Sequence, residues 1–228
     1  MKVAVMFSGG KDSTYATWVV QHQGWEITSL LTAKPSSPES LMFHHPNVEW
    51  TTLQAEAMGL RQDMVETSGR DELVDFRERL SKLRASRAIS GLVTGAVASE
   101  YQKTRFDNVC DSVGLKTYAP LWHKKPKILV EDLKKANFRI VLIAVAAKGL
   151  DESWLGRELS DREWARLERL SQTHGIHLTG EGGEYESFVL DAPHFKKIVE
   201  IESSQKEWKG DIGRLVIEAA SLRDKLSD

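Results

Sequence analysis

The chain has 228 residues, of which 41% are hydrophobic and 28% charged, and its net charge is −2. That balance fits one large folded domain, or a domain with a smaller companion, and excludes a disordered chain. It also argues against stable nucleic-acid binding, which calls for a basic excess. The one cysteine, Cys110, excludes a disulfide framework and a cysteine-built zinc site. The longest apolar stretch, Ile140 to Ala147, is far shorter than the ~20 residues of a membrane span. No signal-type apolar region opens the sequence, so a cytoplasmic protein without membrane association is expected.

Taken in order, residues 2–7 read as a buried strand and residues 12–23 as a helix. Between them lie Ser8, Gly9, Gly10, Lys11, Asp12 and Ser13. Strand, glycine turn and helix start together make a phosphate site, because glycines let the backbone approach an anion and the helix start offers free N–H groups. Lys11 supplies a mobile positive charge, and Ser8 and Ser13 supply hydroxyl donors. A carboxylate beside phosphates repels them, so Asp12 makes sense as a ligand of Mg²⁺. The hexapeptide is not a Walker A loop, since Val5 and Asp12 stand where that pattern needs Gly and Ser or Thr. It resembles the PP-loop of the N-type ATP pyrophosphatases. That resemblance implies cleavage of ATP between its α and β phosphates and transfer of AMP to an acceptor.

Further strands are expected at 26–33, 63–67 and 91–97, and further helices at 48–58, 71–86 and 99–113. Gly24, Gly59 and Gly114 stand just past three of the helices, where terminating glycines belong. Alternating strands and helices imply a parallel sheet with ligands at the carboxyl ends of its strands. Thr32, near the end of the second strand, and Gly95, closing the fourth, are therefore counted with the nucleotide site. The stretch 34–46 carries three prolines and has the length of a lid or binding loop. His44 and His45 at its end are read as nucleotide-contacting or surface residues rather than metal ligands.

The second half reads differently. A helix at 128–137 and a buried strand at 139–148 precede a capping-box start, Ser160 to Glu163, for a helix reaching His174. Strands follow at 187–190, 197–203 and 213–220. The fold class expected is α/β, a Rossmann-like (HUP/PP-loop) parallel-sheet domain at 1–122 followed by a smaller α+β domain at 123–228. The boundary is placed near Pro120 and Pro126.

Two further blocks carry chemistry. After Gly95 come Ser99, Tyr101, Gln102 and Arg105, on the same sheet edge as the glycine turn. Ser99 is a natural helix cap, and Arg105 suits phosphate or carboxylate recognition. Residues 180–187, Gly-Glu-Gly-Gly-Glu-Tyr-Glu-Ser, combine three glycines with Glu181, Glu184 and Glu186. Such carboxylates can hold a cation, deprotonate an amine, or simply form an acidic turn.

With these blocks in view the chain resembles the diphthine–ammonia ligases over nearly its whole length. The resemblance runs through SGGKDS at 8–13, SLMF at 40–43, QAEAMGL at 54–60, TGAVASEYQKTRFDNVC at 94–110, PLW at 120–122, VAAKGLDESWLG at 145–156 and GEGGEYESFVLDAPHFKK at 180–197. Ser187 stands where Thr is more usual, and residues 123–127 depart from the family pattern. The resemblance implies ATP and Mg²⁺ as cofactors, ammonium as nitrogen source, and diphthine on translation elongation factor 2 as the acceptor. Lys11 would serve catalysis, and Glu181, Glu184 or Glu186 would bind or deprotonate ammonium or face the trimethylammonium of diphthine. Ser99, Tyr101, Gln102, Arg105, Gly182, Gly183 and Tyr185 would contact the acceptor. A homo-oligomer is left open. The alternatives are another adenylating ligase acting on tRNA or a small metabolite, and a non-catalytic ATP-binding module.

Overall fold

The computed structural model describes residues 1–35, 47–67 and 72–225. The expectations for His44, His45 and the 40–43 motif lie outside the described residues. Strand β1 (Lys2–Met6) is sandwiched. Val3, Val5 and Phe7 join one apolar cluster, while Ala4 and Met6 join another on the opposite face. A strand with both faces covered belongs in the middle of a parallel sheet. It pairs with β2 (Glu26–Pro35) and β4 (Gly91–Val93), and β3 (Gln62–Thr67) and β5 (Lys116–Tyr118) complete the sheet in the order β3-β2-β1-β4-β5, all parallel. The crossovers carry helices α1 (Lys11–His22), α2 (Thr51–Met58), α3 (Glu72–Arg87) and α4 (Glu100–Ser112). Strand order reverses beside β1, so the turns after β1 and β4 open on one crevice.

Three local readings need correction. The fourth strand stops at Val93 rather than at 97, which frees residues 94–99 to form a loop over the crevice. The second helix begins as a 3₁₀ turn, Val48–Trp50, because Asn47 is in the left-handed region and Trp50 Nε1 reaches the Ile217 carbonyl oxygen at 2.9 Å. Strand β5 was not foreseen, since three half-exposed residues show no alternation to read.

The second half contains α5 (Pro126–Lys135), β6 (Arg139–Val145), α6 (Asp161–His174), β7 (Tyr185–Asp191), β8 (Lys197–Lys209) and β9 (Ile212–Asp224). Pro126 takes the first turn of α5, where its missing N–H costs nothing. Ser160 caps α6 as expected, its Oγ accepting from Arg162 N, but the reciprocal half of the box is absent: Glu163 accepts the Ser160 hydroxyl, while Ser160 N donates to Glu158 O. The four strands make an antiparallel sheet in the order β7-β6-β9-β8.

The two sheets share a core. Val5, Phe7 and Tyr15 belong to the same apolar cluster as Ile140, Leu142, Phe188 and Val189. Phe7 and Phe188 are wholly buried in it, and burying each such side chain stabilises by ~1.5–3 kcal/mol. Asn47 adds a polar tie, donating to Leu215 O and accepting from Ile217 N, both at 2.8 Å. The crevice above β1 therefore has a wall from each half, held in fixed relation.

Candidate active site

The turn after β1 is braced by its own serines. Ser8 N donates to Ser13 Oγ at 3.2 Å, the two hydroxyls lie 3.1 Å apart, and Ser13 Oγ donates to Gly10 O at 3.1 Å. Gly9 has φ +79°, a conformation that side chains disfavour. Gly10 caps α1 without any side-chain hydrogen bond, and Asp12 in the first turn complements the helix dipole. Gly95 fits because a Cβ there would lie 2.6 Å from Ser13 N. The loop after β4 is thus packed directly on the start of α1.

The facing wall is the turn 180–184 and the start of β7. Lys11 joins the walls. Its backbone N–H donates to Ser187 Oγ at 3.1 Å, and its Nζ donates to Thr179 O at 2.5 Å and to Asp12 Oδ2 at 2.8 Å. The side chain is buried and its ammonium lies 5.4 Å from the centre of the Tyr185 ring. The mobile cation expected from the sequence is instead held across the cleft. Tyr185 is itself fully buried, and its hydroxyl donates to Leu178 O at 2.7 Å. Burial and the nearby carboxylates push its phenol well above the usual range, so it acts as packing and not as an acid.

Between the walls is a cleft of about 460 Å³. Ser8, Gly10, Lys11, Asp12 and Ser13 line one side, and Glu181, Gly183, Tyr185, Glu186 and Ser187 the other. Gly95, Ser99 and Gln102 close the end nearest β4, and Ser99 also caps α4 through Gln102 N at 3.3 Å. Burial, then the charge of Asp12, raise the carboxyl of Glu181 to about 7, with Lys11 opposing. A carboxyl poised there can take or give a proton near neutral pH.

Other residues expected at the site stand elsewhere. Glu184 turns away from the cleft: it accepts from His177 N at 2.7 Å and Gly182 N at 2.9 Å, and so ties the turn together. Glu184 and Gly182 line a second cavity behind that turn. Tyr101 is exposed and carries the Arg105 guanidinium on its ring at 3.8 Å, and neither lines the cleft. Thr32 is buried in β2, accepting from Gln62 Nε2 at 2.8 Å. Gly9 lies behind the lining, where its carbonyl accepts from Gln54 Nε2 at 2.9 Å and from Val189 N at 3.1 Å.

Sequence reading missed three supporting residues. Gln54 is wholly buried and also donates to Val189 O at 2.8 Å, tying the glycine turn to β7. Its signal was a glutamine among the alanines of a buried helix face. Thr179 offers the carbonyl that holds Lys11. His177 Nδ1 accepts from Thr179 N at 3.3 Å and Glu181 N at 3.4 Å, which shapes the approach to the turn. Neither of these last two carried a sequence signal, because each acts through the fold of one loop.

The donor set suits a magnesium ion held chiefly by phosphates. Asp12 Oδ1 is buried and has no hydrogen-bond partner among the described residues. Mg²⁺ commonly takes one or two carboxylate oxygens together with phosphate oxygens. No group of three or more His, Cys, Asp or Glu among the described residues forms a cage of its own.

Comparison with known proteins adds a second kind of observation. Residues 1–117 match the family model described as Diphthamide synthase N-terminal domain, and residues 125–222 match Diphthamide synthase C-terminal domain. The chain is 35% identical over 226 residues to a bovine (Bos taurus) protein named diphthine–ammonia ligase, with 90% of this chain and 84% of that one covered. Proteins of the same name from Mus musculus and Homo sapiens are 36% and 34% identical, with the same coverage. Among solved structures, a chain from Methanocaldococcus jannaschii described as a "predicted subunit of tRNA methyltransferase" superposes with a TM-score of 0.45 at 15% identity, over 84% of this chain and 98% of that one.

Proposed function

We propose a reaction and a division of labour from one premise: this chain belongs to the diphthamide synthase family. It is a ligase that forms a C–N bond, the ATP-dependent amidation of diphthine with ammonia. The acceptor is diphthine on translation elongation factor 2, and the reaction runs in the cytoplasm with Mg²⁺. Residues 1–122 bind the nucleotide and residues 123–228 present the acceptor site. The observation that carries this reading is the cleft itself, a phosphate turn facing a carboxylate-bearing turn with Lys11 spanning both.

A carboxylate cannot release oxide to an amine, so it must first be activated. A diphthine carboxylate oxygen attacks the α-phosphorus of ATP, the bond to the β-phosphate oxygen breaks, and pyrophosphate leaves. Gly10, Lys11 and Ser13 cradle the departing phosphates through backbone and ammonium donors. Lys11 exchanges its Thr179 contact for phosphate oxygen as the nucleotide enters. Asp12 Oδ1 would hold Mg²⁺, which supplies charge neutralisation on the phosphates. Ammonia then attacks the acyl carbon, the C–N bond forms, and AMP departs with the former carboxylate oxygen. Glu181 accepts the proton that ammonium gives up, a role its poise near neutrality supports. Ser99 and Gln102 border the acceptor end of the cleft, and Glu186 faces the trimethylammonium of diphthine. Tyr101 and Arg105 lie outside the cleft and suit a contact with the acceptor protein. Holding nucleotide and acceptor in line contributes up to ~7–11 kcal/mol of barrier reduction.

The test is incubation with diphthine-bearing elongation factor 2, ATP, Mg²⁺ and ammonium. Formation of AMP with the acid-to-amide mass change on the factor supports the reading. ADP as product, or no mass change, overturns it. Neither a tRNA-acting ligase nor a non-catalytic module gains an observation from the structure.

A further inference from the structure

Behind the 180–184 turn lies a second cavity, of about 660 Å³, walled by α6, the start of α5 and the loop carrying Ala98. Glu181 lines both this cavity and the nucleotide cleft. Two glycines of the same turn stand on either side of the wall between them. Gly183 lines the cleft side and Gly182 the cavity side, and a Cβ built on Gly183 would meet nothing within 4 Å. Glu184 fixes the turn by accepting from His177 and Gly182, so its carboxylate is already committed. His177 Nδ1 accepts from the Glu181 backbone N–H at 3.4 Å, so the same wall is braced from within the cavity. At the outer rim Lys127 is paired with Glu168 at 2.6 Å, so its charge is compensated where an incoming cation would pass.

We propose that this second cavity is the entry route for ammonium, and that Glu181 is the boundary residue at which ammonium loses its proton before ammonia crosses to the nucleotide cleft. The inference rests on the amidation reading given above. Its physical motive is traffic. The acceptor is a side chain on a large protein, and together with the nucleotide it fills the open mouth of the cleft. A small cation arriving by that mouth must precede the acceptor, whereas one arriving behind the turn need not. The proton balance favours the rear route too. Ammonium gives a proton to the Glu181 carboxylate, ammonia attacks the acyl carbon, and AMP leaves. The nitrogen sheds one further proton to the departing AMP phosphate as the amide forms. Glu181 releases its proton outward through the second cavity to solvent rather than to the phosphates.

Ser171 and Gln172 line the cavity from α6 and touch neither the nucleotide cleft nor its phosphate turn. Ser171→Trp and Gln172→Trp narrow the route from its outer side. Steady-state amidation is measured with ammonium chloride as the varied substrate, alongside ATP–pyrophosphate exchange driven by the diphthine-bearing factor. At least one variant is expected to raise KM for ammonium about tenfold or more, with KM for ATP and the exchange rate unchanged. Ammonium KM values within about twofold of the parent in both variants, with exchange intact, overturn the route while leaving the amidation reading standing. Absence of exchange in the parent protein would instead remove the reading on which the route rests.

Discussion

The two glycine-rich turns that face each other across the cleft look alike in composition and differ in how they are held. The turn at 8–13 is braced by short-range hydrogen bonds among Ser8, Gly10 and Ser13, and Gly9 and Lys11 tie it to α2 and β7. The turn at 180–184 is held by a sacrificed carboxylate, since both oxygens of Glu184 accept backbone N–H groups. The first commits Lys11 to Thr179 O and Asp12 Oδ2 and leaves Asp12 Oδ1 without a hydrogen-bond partner among the described residues. The second divides its glutamates between architecture and chemistry, with Glu184 bracing the loop and Glu181 held at about 7. A motif built from local bonds shows its purpose in its letters, whereas a motif whose parts have separate jobs shows it only when folded.

The largest effect is expected from the phosphate side. Lys11→Ala removes the ammonium that spans the walls, and pyrophosphate release should fall by ~10²–10³-fold or more in an exchange assay. A variant that still exchanged at the parental rate would break the contrast, because the two turns would then be equally dispensable to phosphate chemistry.

Glu181→Gln should come next, and it separates the two walls. Amide formation should drop by ~10²-fold or more while exchange persists, the loss a missing general base produces. The parent's amidation rate should rise with pH through about 7 as the carboxyl ionises, and the variant should lose that limb. Stability follows with opposite sign. The folded Glu181 binds its proton more tightly than an ordinary carboxyl, so folding stability contributed at this group falls as pH rises from the usual carboxylate range to about 7. Thermal denaturation at several pH values should therefore show the variant gaining on the parent across that window. An unchanged pH–rate profile would assign the base elsewhere.

Asp63 offers a control outside the cleft. It is buried on β3, and although burial opposes ionisation, hydrogen bonds from Arg87 and Ser29 and the charges of Arg79 and Arg87 hold it at about 2. Its folded value lies below the unfolded one, so its contribution is present above the usual carboxylate range and is lost as pH falls towards 2. Asp63→Asn should cost ~3 kcal/mol at neutral pH by denaturant unfolding, leaving KM for ATP unchanged in the folded fraction. The smallest expected effect is that of Glu184→Ala. Two backbone donors lose their acceptor, for ~1–3 kcal/mol of local stability, with exchange retained. Loss of amidation in a fully folded Glu184→Ala protein would give Glu184 a chemical role beside Glu181 and erase the division of labour within the second turn.

Much of this was legible in the sequence because it is local. The helix caps at Ser99 and Ser160, the glycines past α1, α2 and α4, and the strand–turn–helix around Gly10 all depend on neighbours a few residues away. The alternation of elements likewise gave the parallel sheet and the change of architecture after Pro126. What could not be read depends on contacts between distant residues. Gln54 meets Gly9 and Val189 across 45 and 135 positions, and Lys11 meets Thr179 across 168. Tyr101 and Arg105 follow the correct loop, yet stack on each other outside the cleft, because helical spacing of four aligns them along one face of α4. The role of Glu184 depended on where His177 N would fall, which no spacing rule supplies.

The most direct test of an activated acyl group in this cleft is to follow an oxygen. Diphthine-bearing elongation factor carrying heavy oxygen in the diphthine carboxylate is incubated with the protein, ATP, Mg²⁺ and ammonium, and the nucleotide product is analysed by mass spectrometry. The account predicts AMP bearing a single heavy oxygen taken from the carboxylate, with unlabelled pyrophosphate. Unlabelled AMP, or label found in inorganic phosphate beside ADP, would contradict it.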